Sequence, residues 1–298
     1  MIPTLFSVSY AGLWGQHQLD IESFIKKAAV LGYEAVELMA KRPHLSILDA
    51  DGERLERIKR CAEENNLKIV TIAGYTDFTG GRKSAEVPFV EMQIDYVEKL
   101  AKLARQLEAG IVRVFTGYAT GEEAYQEDWE TCVRAIRECA RRTEHHGVFL
   151  GVQNHHDTGV STDAYLEFLN DVDHPNCRAM FDPWAPALQG EDLYAGARKV
   201  APRMVQTTIA DYVRLERWAY MPHLVNYRQL PAMVRAVPVG QGFIDLGSFF
   251  KGLREGGFEG PVAYEMCSPL RGGGSEENLD KTAEVSLNQI KALISDTE

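Results

Sequence analysis

Two carboxylates stand directly behind apolar runs: Asp182 after Cys177-Arg-Ala-Met-Phe181, and Glu265 after Pro261-Val-Ala-Tyr264. Runs of this kind read as buried strands, so each carboxylate is expected at a strand end in an apolar setting, where an unpaired charge is costly. A divalent cation such as Mg²⁺, Mn²⁺, Co²⁺ or Zn²⁺ is one physically economical partner. An ion pair with Arg or Lys, or a cap on the next helix, is the purely structural alternative. A third polar cluster, Gln153-Asn-His-His-Asp157, closes the apolar run Val148–Val152. Adjacent residues of a strand face opposite sides, so one of His155 and His156 is expected to face the site and the other to pack. Trp14, Phe78, Trp184 and Trp218 offer flat apolar faces on which a ligand can stack or the core can pack. Arg217 and His223 fall in a stretch rich in arginine and aromatics.

Such residues need a scaffold that gathers distant strand ends. The chain alternates β-rich runs at 4–10, 35–39, 68–73, 111–115, 148–152, 177–181, 204–209 and 261–265 with amphipathic stretches between and after them. Val90, Ile94, Val97, Ala101 and Ala104 recur at helical spacing, and Gly32 and Gly147 supply helix stops. An alternation repeated about eight times over 298 residues predicts an α/β fold, a (β/α)8 TIM barrel forming one domain over 1–298. An open doubly wound sheet is disfavoured, because no strand leads into a glycine-rich phosphate turn. In a barrel the chemistry sits at the C-terminal strand ends, which is where Asp182, Glu265 and the 153–157 cluster fall, with His44 near the second strand. Residues 212–239 read as an irregular functional loop, covering the site or meeting a neighbouring subunit. Arg113, and Arg271 before Gly272-Gly-Gly274, leave phosphate recognition open.

Composition narrows the classes of function. The formal charge of -11 repels phosphate backbones and anionic membranes, so neither nucleic acid nor a membrane is expected as partner. The five cysteines are scattered and never in a CxxC pair, which fits reduced thiols in a cytoplasmic protein without a disulfide or cysteine zinc site.

The run from Gly240-Gln-Gly-Phe-Ile-Asp245 through Gly256-Gly-Phe-Glu-Gly260 to Glu265 resembles the closing segment of the xylose-isomerase-like barrel superfamily, the sugar (phosphate) isomerase/epimerase group. Leu31-Gly-Tyr-Glu-Ala-Val-Glu37 is similar to its first helix–strand junction, and Met180-Phe-Asp-Pro-Trp184 to its sixth-strand aspartate. The likeness runs over essentially the whole chain. It implies a metal held by Glu on strand five, Asp on strand six, His on strand seven and Glu on strand eight. That metal polarises the carbonyl and hydroxyl of a ketose or aldose while carboxylates shuttle a proton between adjacent carbons.

Asp182 and Glu265 match this pattern. Strand five carries Gln153 where many members have Glu, with Asp157 as the alternative ligand in an alignment resembling the ketose 3-epimerases. Strand seven carries Thr208-Ile-Ala-Asp211 in place of His-x-x-Asp. The resemblance therefore implies Gln153, Asp182, Thr208 and Glu265 around the ion, and Glu265, Asp157 and His155 as proton-transfer groups. Trp14, His156, Trp184, His223 and Arg217 are expected around the substrate. An amide and a hydroxyl are weaker donors than carboxylate and imidazole, so the ion is expected to bind weakly or be lost, with His155, His156 or His223 as stand-ins.

The implied activity is a metal-dependent isomerase or epimerase acting on a small carbohydrate through an enediolate, in a chain that forms homo-oligomers. A lyase or dehydratase acting on a keto-inositol or 3-keto-sugar comes second, because Gln153–Val160 is similar to the His-rich strand-five segment of keto-inositol dehydratases. A sugar-binding barrel with a decayed site comes third. Apurinic endonucleases share the barrel but need a His-rich three-metal cluster and a basic face, and eight histidines with a charge of -11 supply neither.

Overall fold

The computed structural model describes residues 1–82, 84 and 86–295. Seven parallel strands alternate with helices: β1 (Ile2–Phe6), α1 (Ile21–Leu31), β2 (Ala35–Met39), α2 (Gly52–Glu64), β3 (Lys68–Ala73), α3 (Phe89–Gln106), β4 (Ile111–Val114), α4 (Tyr125–Glu144), β5 (Phe149–Gln153), α5 (Thr162–Val172), β6 (Cys177–Met180), α6 (Trp184–Gln189), α7 (Leu193–Val200) and β7 (Met204–Ile209). An antiparallel pair follows, β8 (Asp211–Met221) and β9 (Asn226–Val237), then α8 (Leu246–Glu255), β10 (Pro261–Tyr264) and α9 (Glu276–Ser295). Strands β1 to β7 and β10 close into one barrel in sequence order, with β10 between β7 and β1. The eightfold alternation expected from sequence is the fold observed.

Local chemistry explains the element ends. Asp20 caps α1 by accepting the Ser23 N–H at 2.8 Å, and Gly32 ends the helix at φ 86°, a conformation glycine adopts freely. Strands such as Ala35–Met39 are buried at every position, because a parallel barrel strand has side chains on one face and helices on the other.

Residues 212–239 are not an irregular loop. Most of them form the β8–β9 ribbon, whose outer half is exposed on both faces. A ribbon without a buried face shows no two-residue alternation of apolar side chains, and Pro222 and Pro231 add loop-like signals.

The barrel interior is unusually polar beneath its mouth. Thr71 Oγ1 donates to Gln206 Oε1 at 2.5 Å, and Gln206 Nε2 donates to Glu37 Oε2 at 2.5 Å. Since β3 and β7 stand opposite one another in the ring, this chain of bonds crosses the barrel. Glu37 is fully buried, and burial raises its carboxyl to about 7 despite the favourable charge of Arg113. The folded protein therefore keeps a proton that the unfolded chain releases near 4.5. Stability from this proton is complete below that value and is lost as pH rises through about 7. Glu37→Gln, which stays neutral, is expected to gain about 2–3 kcal/mol over the wild type between pH 5 and pH 8. Urea unfolding at the two pH values measures this; an equal difference at both would contradict it.

Candidate active site

The C-terminal rim gathers residues from β4, β5, β6 and β10. Asp182, just beyond β6, is clamped from β5 in two ways. Its N–H donates to Asn154 Oδ1 at 2.6 Å and its carbonyl accepts from Asn154 Nδ2 at 3.0 Å. Its carboxylate accepts the Trp184 N–H at 2.8 Å and Gln153 Nε2 at 3.0 Å. The other end of the Gln153 amide accepts from Arg113 Nη1 at 3.2 Å, while Arg113 Nη2 donates to the Gly74 carbonyl at 3.1 Å. Arg113 is only 2% exposed, with its guanidinium carbon 4.2 Å from the Phe115 ring centre and 4.9 Å from that of Tyr75.

Glu265 follows β10. Its Oε1 accepts from Cys267 Sγ at 3.1 Å, and Cys267 in turn meets the Tyr212 hydroxyl at 2.9 Å. Asp182 and Glu265 are both buried, 6% and 9% exposed. Burial raises both carboxyls above the ordinary range, and the negative charge of Asp182 raises Glu265 further. Two interacting carboxyls displaced by different amounts are the arrangement in which one holds a proton while the other accepts one.

The histidines lie just past the end of β5. His156 adopts φ 67°, an uncommon conformation outside glycine, and this bend turns both rings toward Phe115, at 4.7 Å and 4.5 Å between ring centres. They therefore do not face opposite sides, because strand geometry ends at Gln153. The His156 N–H donates to His155 Nδ1 at 2.7 Å, leaving the proton of a neutral His155 on Nε2. Burial depresses both rings, His155 to about 3 and His156 to about 4. Such a ring is a weak base near neutral pH, and its Nε2–H is a neutral hydrogen-bond donor. A cavity of about 200 Å³ is lined by His155, His156, Asn154, Asp182, Trp184 and Tyr118, among others. A larger groove of about 530 Å³ lies at the opposite end, where β3 and β4 begin, the face of such barrels associated with stability.

Other expected residues fall in several places. Trp184 lines the cavity with its Nε1 buried and unpartnered among the described residues. Trp14 is exposed at the β1 end with φ 53°. Asp157 is an exposed residue that lines the same cavity, and its Oδ2 accepts the Ala119 N–H at 2.8 Å. Thr208 is buried with its hydroxyl unpartnered. Arg217, Trp218 and His223 are exposed on the ribbon and its turn.

Phe78 is core, and His44 is buried between the Ser7 hydroxyl and the Leu19 carbonyl. Arg113 is an interior group with no surface for phosphate, and Gly274 packs against the Gly15 and Gln16 backbone. Asn154, Cys267, Tyr212 and the inward role of Arg113 were not expected, since each acts across strands. Asn154 beside Gln153 was the one visible signal.

The description "Xylose isomerase-like TIM barrel" belongs to the family model that matches residues 25–289. The chain belongs to this xylose isomerase-like TIM barrel family. It is 27% identical over 169 residues to the 3-dehydroshikimate dehydratase of Bacillus anthracis, a match covering 56% of this chain and 58% of that protein. It is 22% identical over 292 residues to the fructoselysine 3-epimerase of Escherichia coli O157:H7, covering 95% and 97% of the two chains. Among solved structures, the IOLI protein with a binding zinc atom superimposes with a TM-score of 0.73 at 19 parts in 20 or more of both lengths, 99% and 98%, and 15% identity.

For this member of the xylose isomerase-like family, the donors decide whether a divalent ion fits. A guanidinium only donates and a carboxylate accepts, so the Gln153 amide is held with oxygen toward Arg113 and N–H toward Asp182. Its oxygen is therefore not offered beside the carboxylate as a ligand. What remains is Asp182, Glu265 and the Thr208 hydroxyl, and among the described residues no three His, Cys, Asp or Glu side chains are placed to hold an ion. This set falls short of the four protein donors of a closed zinc site, and a magnesium ion here would rest on two carboxylates, one neutral hydroxyl and water.

Proposed function

We propose that the chain is an isomerase or epimerase acting on a small polyhydroxy carbonyl compound, with Glu265 and Asp182 moving a proton at the carbon next to the carbonyl. The observation that carries this reading is the pair of buried, interacting carboxyls at the barrel mouth, both raised toward neutral pH. Asn154 and Gln153 orient Asp182, Cys267 orients Glu265, and the neutral His155 Nε2–H donates to a substrate oxygen. Trp184 and Tyr118 supply apolar faces. The epimerase relative supports this reading over nearly the full length of both chains.

A second reading, a lyase expelling water from a keto-sugar, is favoured by the dehydratase relative and by Lys41. This half-buried cation lies 3.9 Å above the Tyr75 ring and has no acidic partner among the described residues, so it can receive an anionic or leaving group. Both reactions begin with the same proton abstraction. Incubation in D₂O with ketoses, aldoses and 3-keto-sugars separates them by nuclear magnetic resonance. Deuterium without loss of water marks the epimerase, deuterium with dehydration marks the lyase, and binding without exchange marks a non-catalytic sugar-binding barrel.

The proposed assembly is a homo-oligomer held by the ribbon. Trp218, Tyr220 and Tyr227 are exposed there, with Leu224 and Val225 at the turn. A lone two-stranded ribbon is marginal in water. It carries Arg214, Arg217, Arg228 and Arg235 on a chain of net charge -11, so a second copy offers the complementary surface. Trp218→Asp with Tyr227→Asp is expected to convert the oligomer to monomer in light scattering while leaving barrel unfolding unchanged; a wild-type monomer would contradict the assembly.

A further inference from the structure

We propose that the buried Arg113 guanidinium is the fixed positive charge of this site, acting through the Gln153 amide on Asp182, so that the site works without a divalent cation. The inference rests on the proton-transfer reading only for the use to which that charge is put. Arg113 is enclosed by the barrel, stacked beside Phe115 and Tyr75, and makes no contact ion pair among the described residues. A buried guanidinium without compensation is strongly unfavourable. Its compensation comes at longer range, chiefly from Asp182, with Glu37 and Glu265 as buried acids that burial holds toward the protonated form and whose charged forms Arg113 favours.

Gln153 is the link between the two charges. One end of its amide accepts a hydrogen bond from the guanidinium and the other donates one to the carboxylate. A cation placed beside that oxygen of Asp182 would meet N–H groups where it needs lone pairs, with a second positive charge behind them. Glutamate at position 153 would pair with Arg113 but would no longer donate to Asp182. The amide is thus the side chain that suits an arginine on one flank and an aspartate on the other. Arg113 is a positioning residue here: it fixes Gln153, which fixes Asp182, and its charge is preorganised near the negative charge that builds up on an enediolate.

Binding of Mn²⁺, followed by electron paramagnetic resonance and calorimetry, tests this without any substrate. The wild-type protein is expected to show no saturable binding below roughly 0.1 mM, whereas Arg113→Met, by leaving the acids uncompensated, gains at least about tenfold in affinity. If Arg113→Met does not fold, the double substitution Gln153→Glu with Thr208→His takes its place; it adds an acid and an imidazole and is expected to bind one Mn²⁺ at least about 100-fold more tightly than wild type. One Mn²⁺ per wild-type chain, lost in Asp182→Asn, overturns the inference. That outcome would leave the proton-transfer reading standing, whereas that reading fails on the exchange experiment, which does not depend on ion binding.

Discussion

Glu265→Gln lowers the rate of deuterium wash-in at the carbon beside the substrate carbonyl by about 10³-fold, while the protein remains folded. The substitution keeps the shape of the side chain and an oxygen for Cys267 Sγ, so packing around it is preserved. What it removes is the group able to take and return a proton. Asp182→Asn is expected to cost about 10²-fold to 10³-fold, because the amide keeps an acceptor for one neighbour but loses the negative charge facing Gln153. Asp157→Asn provides the contrast. Its carboxylate is exposed and bonded to the Ala119 amide, so the exchange rate should change by less than about threefold. Exchange lost in Asp157→Asn and retained in Glu265→Gln would move the proton transfer to Asp157 and contradict the assignment of Glu265.

Asp211→Ala destabilises the fold by about 3–5 kcal/mol, measured by urea unfolding, although the residue lies at the end of a strand where catalytic groups gather. Its Oδ1 accepts the N–H groups of Tyr212 at 2.9 Å and Ile244 at 3.4 Å, and its Oδ2 those of Gly240 at 2.9 Å and Gly242 at 2.8 Å. One carboxylate thereby ties the base of the ribbon to the segment that leads into α8. Removing it leaves several buried donors unsatisfied at once. Gly242 reports on the same clamp: a Cβ there would lie 1.9 Å from Asp211 Oδ1 and 2.5 Å from the Tyr212 carbonyl oxygen. Gly242→Ala is therefore expected to lose stability on the scale of Asp211→Ala. A loss below about 1 kcal/mol in both variants would show that the segment is held by other contacts.

These two effects separate what a sequence exposes from what only folding reveals. The barrel was legible because its strands are short apolar runs and its helices have capped, amphipathic faces; β7 falls at the expected residues. Asp182 and Glu265 were legible as buried carboxylates at strand ends, because each directly follows an apolar run. The identity of their partners was not. Gln153 meets Arg113 from one side and Asp182 from the other, 40 and 29 residues away in sequence, and no local pattern encodes a bond across strands. His155 and His156 were misread for a geometric reason, since the two-residue alternation stops where β5 stops and the bend at His156 points both rings one way. The ribbon was misread because its exposed half has no buried face to impose a pattern. The Asp of Thr208-Ile-Ala-Asp211 was visible, yet its role as a backbone clamp depends on a segment about 30 residues later in the chain.

The most direct test is the rate of solvent-deuterium wash-in by the wild-type protein, with and without a chelator, beside that of the Asp182→Asn, Glu265→Gln double variant. The account predicts a wild-type rate indifferent to the chelator and a variant rate at the uncatalysed level. Exchange that persists in the double variant would contradict the assignment of the carboxylate pair, and wild-type exchange abolished by the chelator would contradict a site whose positive charge is Arg113.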